Sequence, residues 1–381
     1  MRIVHVTDTY LPTLGGIELH VHDLAQQQAR RGHDVLVVAG TTRGAAHDEA
    51  GPAVVRVGRG GFTALPPQAL AALDTADVVH AHSSIVSPLA WVAARRAAGR
   101  GVPAVVTMHS VAQRTPLVTH GLRAVSALAG RPVVWAAVSG VAARALQPSV
   151  ATPVHVLPNG IDPAAWPAVP VTARPAGAPL TVVTVGRFAA RKRVLPLVDV
   201  LADVRRRLDP AVPLRAVLAG DGPQRDAVRL RLRALRMDGW VELPGRLDRA
   251  QVHALHAASD VFVAPARLES FGLAALEARC TGLPVVALAA AGVGEFVRDG
   301  VEGRLVADDA GLAAALAGLL ADPARLAAVR AANAATPTTL GWDRVVDRCL
   351  ATYDHAVAAA GRRTAGPVPL GRRAHGMLSA S

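Results

Sequence analysis

The sequence predicts an α/β protein built from two Rossmann-like, doubly wound domains facing each other across a cleft. Three observations predict it. Valine-rich runs alternate with stretches of helical periodicity, and this alternation occurs twice, before residue 160 and again after residue 180. The runs are apolar throughout instead of alternating with polar residues, as in parallel strands buried on both faces. Between the two series, residues 163–179 carry five prolines, the composition of an extended connection. At 381 residues the chain is long enough for two cores. The expected organisation is a first domain over 1–165, a linker over 166–179 and a second domain over 180–340. A C-terminal helix over 341–360 is expected to return to the first domain, ahead of a disordered tail over 361–381.

In order, Arg2-Ile-Val-His-Val-Thr-Asp8 is a strand ending in polar residues. Gly15-Gly16-Ile17-Glu18 then opens a helix running to about residue 31, and the paired glycines let a ligand approach the backbone. Strands are expected at 35–39, 54–57, 78–81, 104–109, 133–138 and 154–157, and in the second series at 181–185, 214–219, 241–243, 261–264 and 285–288. Helices are expected at 194–208, 224–236, 249–257, 271–280, 311–320, 323–334 and 342–359. No G-x-G-x-x-G follows a strand, which argues against a nicotinamide or flavin enzyme.

Composition narrows the partners. Net charge is +12, carried almost wholly by arginine, because Lys192 is the only lysine. A basic surface favours phosphorylated ligands or acidic headgroups. With 3% aromatic residues and no nucleic-acid motif, nucleic acid is not expected as a partner. Cys280 and Cys349 are too few for a disulfide framework or a metal site. The N-terminus reads as a strand, not a signal peptide, and no apolar run reaches about 18 residues, so a cytoplasmic protein is expected. Arg95, Arg96 and Arg100, with residues 114–131, offer a basic amphipathic surface for peripheral contact with anionic membrane; a solvated helix face explains the same residues.

Residues 265–287 form the centre of the chain: they follow a strand at 260–264 and pass through a polar loop and a helix into a second strand. Glu269 lies in the loop and Glu277 on the helix, with Ser270-Phe271-Gly272-Leu273 presenting amides at a helix N-terminus. If the helix starts near Phe271, Glu277 lies roughly 9 Å along its axis. A retaining glycoside hydrolase needs its carboxyls about 5 Å apart. The pair suits two ends of one extended ligand, a sugar at Glu269 and a ribose at Glu277. A helix cap and a surface glutamate are the alternative. Gly186-Arg187 follows a strand, with Lys192 five residues on, and two cations at a strand's carboxyl end suit a diphosphate. Gly220-Asp-Gly-Pro223 and Pro244-Gly-Arg246 also follow strands; alone, both are ordinary turns.

Together these pieces resemble the retaining nucleotide-sugar glycosyltransferases of family 4, which share the two-domain GT-B fold. The resemblance runs in order from residue 1 to 353 through Gly15-Gly16-Ile17-Glu18, His109, Val138-Ser139, Pro158-Asn-Gly-Ile-Asp162, Gly186-Arg187, Lys192, Gly220-Asp-Gly-Pro223, Pro244-Gly245 and the E-x7-E pair Glu269 and Glu277. Residues 292–306 look like that family's following helix and turn. The resemblance implies that Glu277 binds the ribose and Glu269 the donor sugar's hydroxyls. Arg187 and Lys192 would hold the diphosphate, helped by the Phe271, Gly272 and Leu273 amides, and the base would be chosen near Arg246. Gly15 and Gly16 would close from the other domain, and His109 would lie near the reacting carbon. Ser110 stands where an acidic or aromatic neighbour is usual, and Arg267-Leu268 is a variable spot, so donor and acceptor identity stay open.

Charge that grows on the leaving diphosphate would meet Arg187, Lys192 and a helix N-terminus, so neither a divalent metal nor a cofactor is expected. The sequence offers no convincing D-x-D or histidine cluster for a metal, which agrees. No enzyme nucleophile is placed, which implies attack by a hydroxyl acceptor on the face the diphosphate leaves, with retention. A sugar-nucleotide epimerase or other non-transferring enzyme is the alternative, marked by product from donor alone. A phosphorylase is disfavoured, because the one lysine is already assigned. The base, uridine or guanosine, is left open, as are the sugar and the acceptor.

Overall fold

The computed structural model describes residues 1–13, 15–42, 51–58, 65–111, 133–169 and 177–361. The basic stretch 114–131, part of the linker at 170–176 and the tail at 362–381 lie outside these residues.

Two parallel sheets organise the chain. The first has seven strands: β1 (Arg2–Thr7), β2 (Asp34–Ala39), β3 (Ala53–Arg56), β4 (Val78–Ser83), β5 (Ala104–Met108), β6 (Val134–Ala137) and β7 (His155–Val156), ordered β3-β2-β1-β4-β5-β6-β7. It carries helices α1 (Gly16–Arg30), α2 (Pro67–Asp74), α3 (Pro88–Arg100) and α4 (Gly140–Leu146). The second has six: β8 (Leu180–Val185), β9 (Leu214–Ala219), β10 (Val241–Gly245), β11 (Val261–Ala264), β12 (Val285–Leu288) and β13 (Gly303–Val306), ordered β10-β9-β8-β11-β12-β13. Its helices are α5 (Val194–Arg207), α6 (Arg225–Ala234), α7 (Arg249–Ala257), α8 (Leu273–Cys280), α9 (Asp309–Leu320) and α10 (Pro323–Ala335), and α11 (Trp342–Gly361) ends the described chain. This is the doubly wound architecture that alternating buried strands and helices dictate.

The strands are apolar because both faces are covered. Val4, Val6, Val79, Val105 and Val106 are fully buried in the first sheet, as are Val183, Val261, Val263 and Val286 in the second. Each such side chain contributes about 1.5–3 kcal/mol by leaving water. α11 runs back over the first sheet. Its Val345, Val346, Cys349, Tyr353 and Ala356 fall on one helical face and join Ile3, Val21, Leu24 and Val78 in a single cluster. Arg31 at the end of α1 pairs with Asp343 and Asp347 of α11.

Residues 292–306 hold a 3-10 helix at Gly292–Glu295, a turn through Asp299-Gly300 and then β13, a strand pairing with β12 that the sequence reading does not include. Gly-Arg-Leu-Val is too short to announce itself, and the sheet edge supplies what the sequence does not. On α3, Ala93, Ala94, Ala97 and Ala98 are buried in the first core and Arg96 pairs with Asp74 at 2.7 Å, while Arg95 and Arg100 are exposed. Among the described residues no single helix is long and apolar enough to cross a membrane.

Candidate active site

Each sheet reverses its winding once, between β1 and β4 and between β8 and β11. At such a crossover the loops leave the strand ends in opposite directions and open a crevice. The loop after β8 carries Lys192 and the loop after β11 carries Glu269. Lys192 Nζ donates to Glu269 Oε2 at 2.5 Å, with both side chains mostly covered. Arg193 holds Lys192 in place: it takes a left-handed φ of 57° to begin α5. Its guanidinium donates to the Pro265 carbonyl at 3.1 Å and to both Asp309 carboxylate oxygens at 2.8 and 2.7 Å. The sequence hid this clamp, because Arg191-Lys192-Arg193 reads as one basic patch.

The Gly220-Asp-Gly222 turn fits beneath the loop after β8 only as glycine. Gly220 and Gly222 have φ of 140° and 154°, and an added Cβ on Gly222 would lie 2.6 Å from the Phe188 carbonyl oxygen. Arg187 and Arg246, after β8 and β10, are exposed and form no ion pair among the described residues. Both are free to meet a ligand; neither is brought to Lys192 by a direct contact.

α8 begins at Leu273, not Phe271, because Gly272 adopts φ 98° and caps the helix from outside it. Glu277 therefore lies roughly 6 Å along the axis, in the second turn. The Phe271, Gly272 and Leu273 amides have no acceptor among the described residues and stand at the helix's positive end. The Phe271 ring is core, packed against Phe296 at 5.5 Å, so only its backbone is available. Glu277 is half-buried, and burial pushes its carboxyl up to about 7, opposed by Arg249 and reinforced by Asp23. Arg249 of α7 bonds Asp23 of α1 at 2.5 Å, joining the two domains behind the glutamate.

Three further contacts bring the first domain to this edge. Ser270 Oγ donates to the His109 carbonyl at 2.6 Å. The Gly140 amide at the start of α4 donates to Glu295 at 2.7 Å. A Cβ placed on Gly16 would lie 3.7 Å from Leu273 Cδ1, so the glycine loop faces the α8 N-terminus, while Gly15 packs on the Glu18 carboxylate. His109 itself follows β5, and its amide donates to Ser83 at 2.7 Å. The structure thus brings together Lys192 with Glu269, Gly16 with Leu273, and His109 with Ser270.

His109 is not a lone histidine. His5, His20, His80, His82 and His109 are all buried beneath the first-sheet crossover, and ring nitrogens of His5, His80 and His82 lie within 4.8 Å of one another. The sheet thus gathers into one cluster histidines that the sequence shows only as separate pieces, His80-Ala-His82 among them. Burial drives His5 down to about 4 and His109 to about 3, and lowers His20, His80 and His82 well below the ordinary value.

Comparison with known proteins agrees with this geometry. Residues 14–165 match the family described as "Glycosyltransferase Family 4" and residues 179–322 match "Glycosyl transferases group 1". The chain is 31% identical to a glycogen synthase of Mycobacterium tuberculosis, covering 84% of this chain and 86% of that one. It is 30% identical to a phosphatidyl-myo-inositol mannosyltransferase of the same organism, covering 95% and 99%. The Anabaena HepE structure in complex with UDP and glucose superposes with a TM-score of 0.74 at 21% identity, over 93% of this chain and all of that one, a likeness of fold. Two facing parallel-sheet domains, the paired charges at one crossover and these matches along both halves make the chain a member of the family 4 glycosyltransferases of GT-B fold, enzymes acting on nucleotide sugars.

Proposed function

We propose that this glycosyltransferase moves a hexosyl unit from a UDP- or GDP-linked sugar to a hydroxyl acceptor, with retention and without a divalent metal. The observation that carries the reading is the Lys192–Glu269 pair, 2.5 Å apart at the second-sheet crossover beside three unpartnered amides. On donor binding the pair separates. Lys192, with Arg187, takes the diphosphate, and Glu269 accepts hydrogen bonds from the sugar's hydroxyls; charge-assisted bonds of this kind contribute about 1.5–3 kcal/mol each. Glu277, half-protonated near neutrality, binds the ribose hydroxyls as acceptor or donor. Arg246, exposed after β10, is the residue this reading assigns to the base. As the C1–oxygen bond breaks, negative charge on the leaving phosphate falls on Lys192, Arg187 and the α8 N-terminus, which replaces the role a metal ion would have.

HepE is solved with UDP and with UDP-glucose, and relatives named for inositol-containing acceptors support a polyol or lipid-linked hydroxyl as acceptor. Peripheral membrane contact belongs to this proposal through Arg95 and Arg100 on α3; failure to sediment with anionic vesicles at low salt removes it. The main test is thermal unfolding against nucleoside diphosphates. A ligand at 100 times its Kd stabilises by about 2.7 kcal/mol. UDP or GDP should raise the Tm, and the product anomer should match the donor's. No response to any nucleotide defeats the reading, inversion defeats the mechanism, and product from donor alone favours an epimerase.

A further inference from the structure

Beneath His109 the buried histidines form one continuous hydrogen-bonded chain. Gln28 of α1 begins it: its Oε1 lies 2.6 Å from His5 Nε2, and its Nε2 lies 3.0 Å from the Tyr353 hydroxyl. His5 Nδ1 is 2.9 Å from His82 Nε2, and His82 Nδ1 is 3.0 Å from His109 Nε2. On the second branch Tyr353 OH is 2.7 Å from His80 Nδ1, and His80 Nε2 is 2.7 Å from Thr107 Oγ1. His5, His80, His82, Gln28 and Tyr353 are at most 1% exposed.

The proton positions follow from this pattern. An amide oxygen only accepts and an amide nitrogen only donates. His5 must therefore carry its proton on Nε2, which leaves Nδ1 to accept from His82 Nε2–H. His82 Nδ1 then accepts from His109 Nε2–H. Tyr353, accepting from Gln28, gives its own proton to His80 Nδ1, and His80 Nε2–H donates to Thr107. Every bond is made with all the rings neutral. Turning the Gln28 amide over reverses every bond and moves the His109 proton to Nδ1. We propose that Gln28, His5 and His82 are positioning residues that hold His109 in its Nε2–H tautomer, keeping Nδ1 as a bare acceptor for a hydroxyl of the donor sugar. Among the described residues that nitrogen has no partner. The role given to it rests on the reading that the crevice beside His109 takes the donor.

The same wiring engages a lone pair on each of His5, His80 and His82, so the trio is not free to ligate a metal in this arrangement.

The test uses full-length protein labelled with 15N-histidine, in which long-range proton–nitrogen correlations separate protonated from bare ring nitrogens. The His109→Gln variant identifies which signals belong to His109. In the wild type His109 should be protonated at Nε2 and bare at Nδ1. In Gln28→Leu both tautomers should appear, with kcat/KM for the donor falling roughly tenfold, the cost of one misdirected hydrogen bond, and the change carried by KM. General loosening of the core would not by itself populate the second tautomer while the fold and the other histidine signals stay unchanged. A His109 proton on Nδ1 in the wild type overturns the proposal, as does a single unchanged tautomer in folded Gln28→Leu. If Gln28→Leu does not fold, the wild-type spectrum decides alone. Cobalt(II) binding that is lost in His82→Asn also overturns it. Nucleotide binding is scored separately: the expected tautomer in a protein that UDP and GDP fail to stabilise sinks the functional reading and leaves the relay standing.

Discussion

Acid should unfold the first domain before the second. The first-sheet histidines are neutral because they are buried, and an unfolded chain regains the ordinary histidine pKa of 6.5. A group whose folded pKa is depressed in this way leaves stability intact above 6.5. As pH falls below 6.5 the unfolded state takes up protons that the folded state refuses, and stability is lost. At pH 5, His5 with a folded value of about 4 and His109 at about 3 each cost about 2 kcal/mol. His20, His80 and His82 shift in the same direction; Asp8, raised by burial, acts against them. In the second domain His256, lowered to about 3, costs a similar amount. There Glu277 compensates: raised to about 7, it gains a proton in the folded state as pH falls from 7 and returns about 2 kcal/mol by pH 5. Against a typical total of about 5–15 kcal/mol, the first domain loses a large share and the second almost none. The assay is thermal unfolding at pH 7.5 and pH 5.0, with hydrogen exchange, corrected for intrinsic rates, to locate the loss. β1, β4, β5 and α11 should lose protection at pH 5 while β8 and β11 keep theirs. Equal loss in both domains, or full protection of β1 and β4 at pH 5, refutes the reasoning.

Three other outcomes test the site. Lys192→Ala should reduce kcat by roughly 10²–10³, the scale for removing one preorganised donor to a developing anion, with little change in Tm; near wild-type turnover in a product assay would sink the assignment. Gly272→Ala should destabilise the second domain by roughly 1–2 kcal/mol, because φ 98° disfavours a side chain and the new Cβ would lie 3.0 Å from Val293; an unchanged urea midpoint would contradict the left-handed cap. Dialysis against EDTA should leave initial rates unchanged, and recovery only on adding magnesium or manganese would show that the cations at the crossover are insufficient.

Much of the fold was legible because buried parallel strands leave continuous apolar runs, whereas the strand orders that set the two crossovers come from the pairing alone. Glu269, Lys192 and the glycine loop were legible for a related reason: each sits immediately beyond a strand, where an α/β sheet binds its ligand. What stayed hidden depends on contacts distant in sequence. Nothing local marks Arg193 apart from Arg191, since its partner Asp309 is 116 residues away. The start of α8 at Leu273 instead of Phe271 depends on Gly272 capping it from the left-handed region, which no periodicity reports. The histidine relay is the clearest case. His5 and His82 are separated by 77 residues, and β1 pairing with β4 alone brings them together. His5 reads as a single polar residue in an apolar strand and His80-Ala-His82 as an alternation within another, and neither announces the other.

The two crossovers are built with opposite electrostatics, and on the proposed reading this division follows from the reaction. The donor must shed a diphosphate anion, so the second-sheet crossover offers Lys192, Arg187 and a helix N-terminus. The sugar left behind turns cation-like, and the group beside it must carry no positive charge. An imidazolium at about 4 Å from such a centre, at an effective dielectric of 20, would raise the barrier by about 4 kcal/mol, close to a thousandfold in rate. Burial at His109, which holds its pKa near 3, removes that penalty across the physiological range. The surrounding histidines serve the same end: they supply hydrogen-bond partners that a buried ring requires without bringing a carboxylate that would draw a proton onto it. A carboxylate at the position of His82 would defeat this arrangement, and the acid sensitivity of the first domain is the physical cost of keeping its reacting edge neutral.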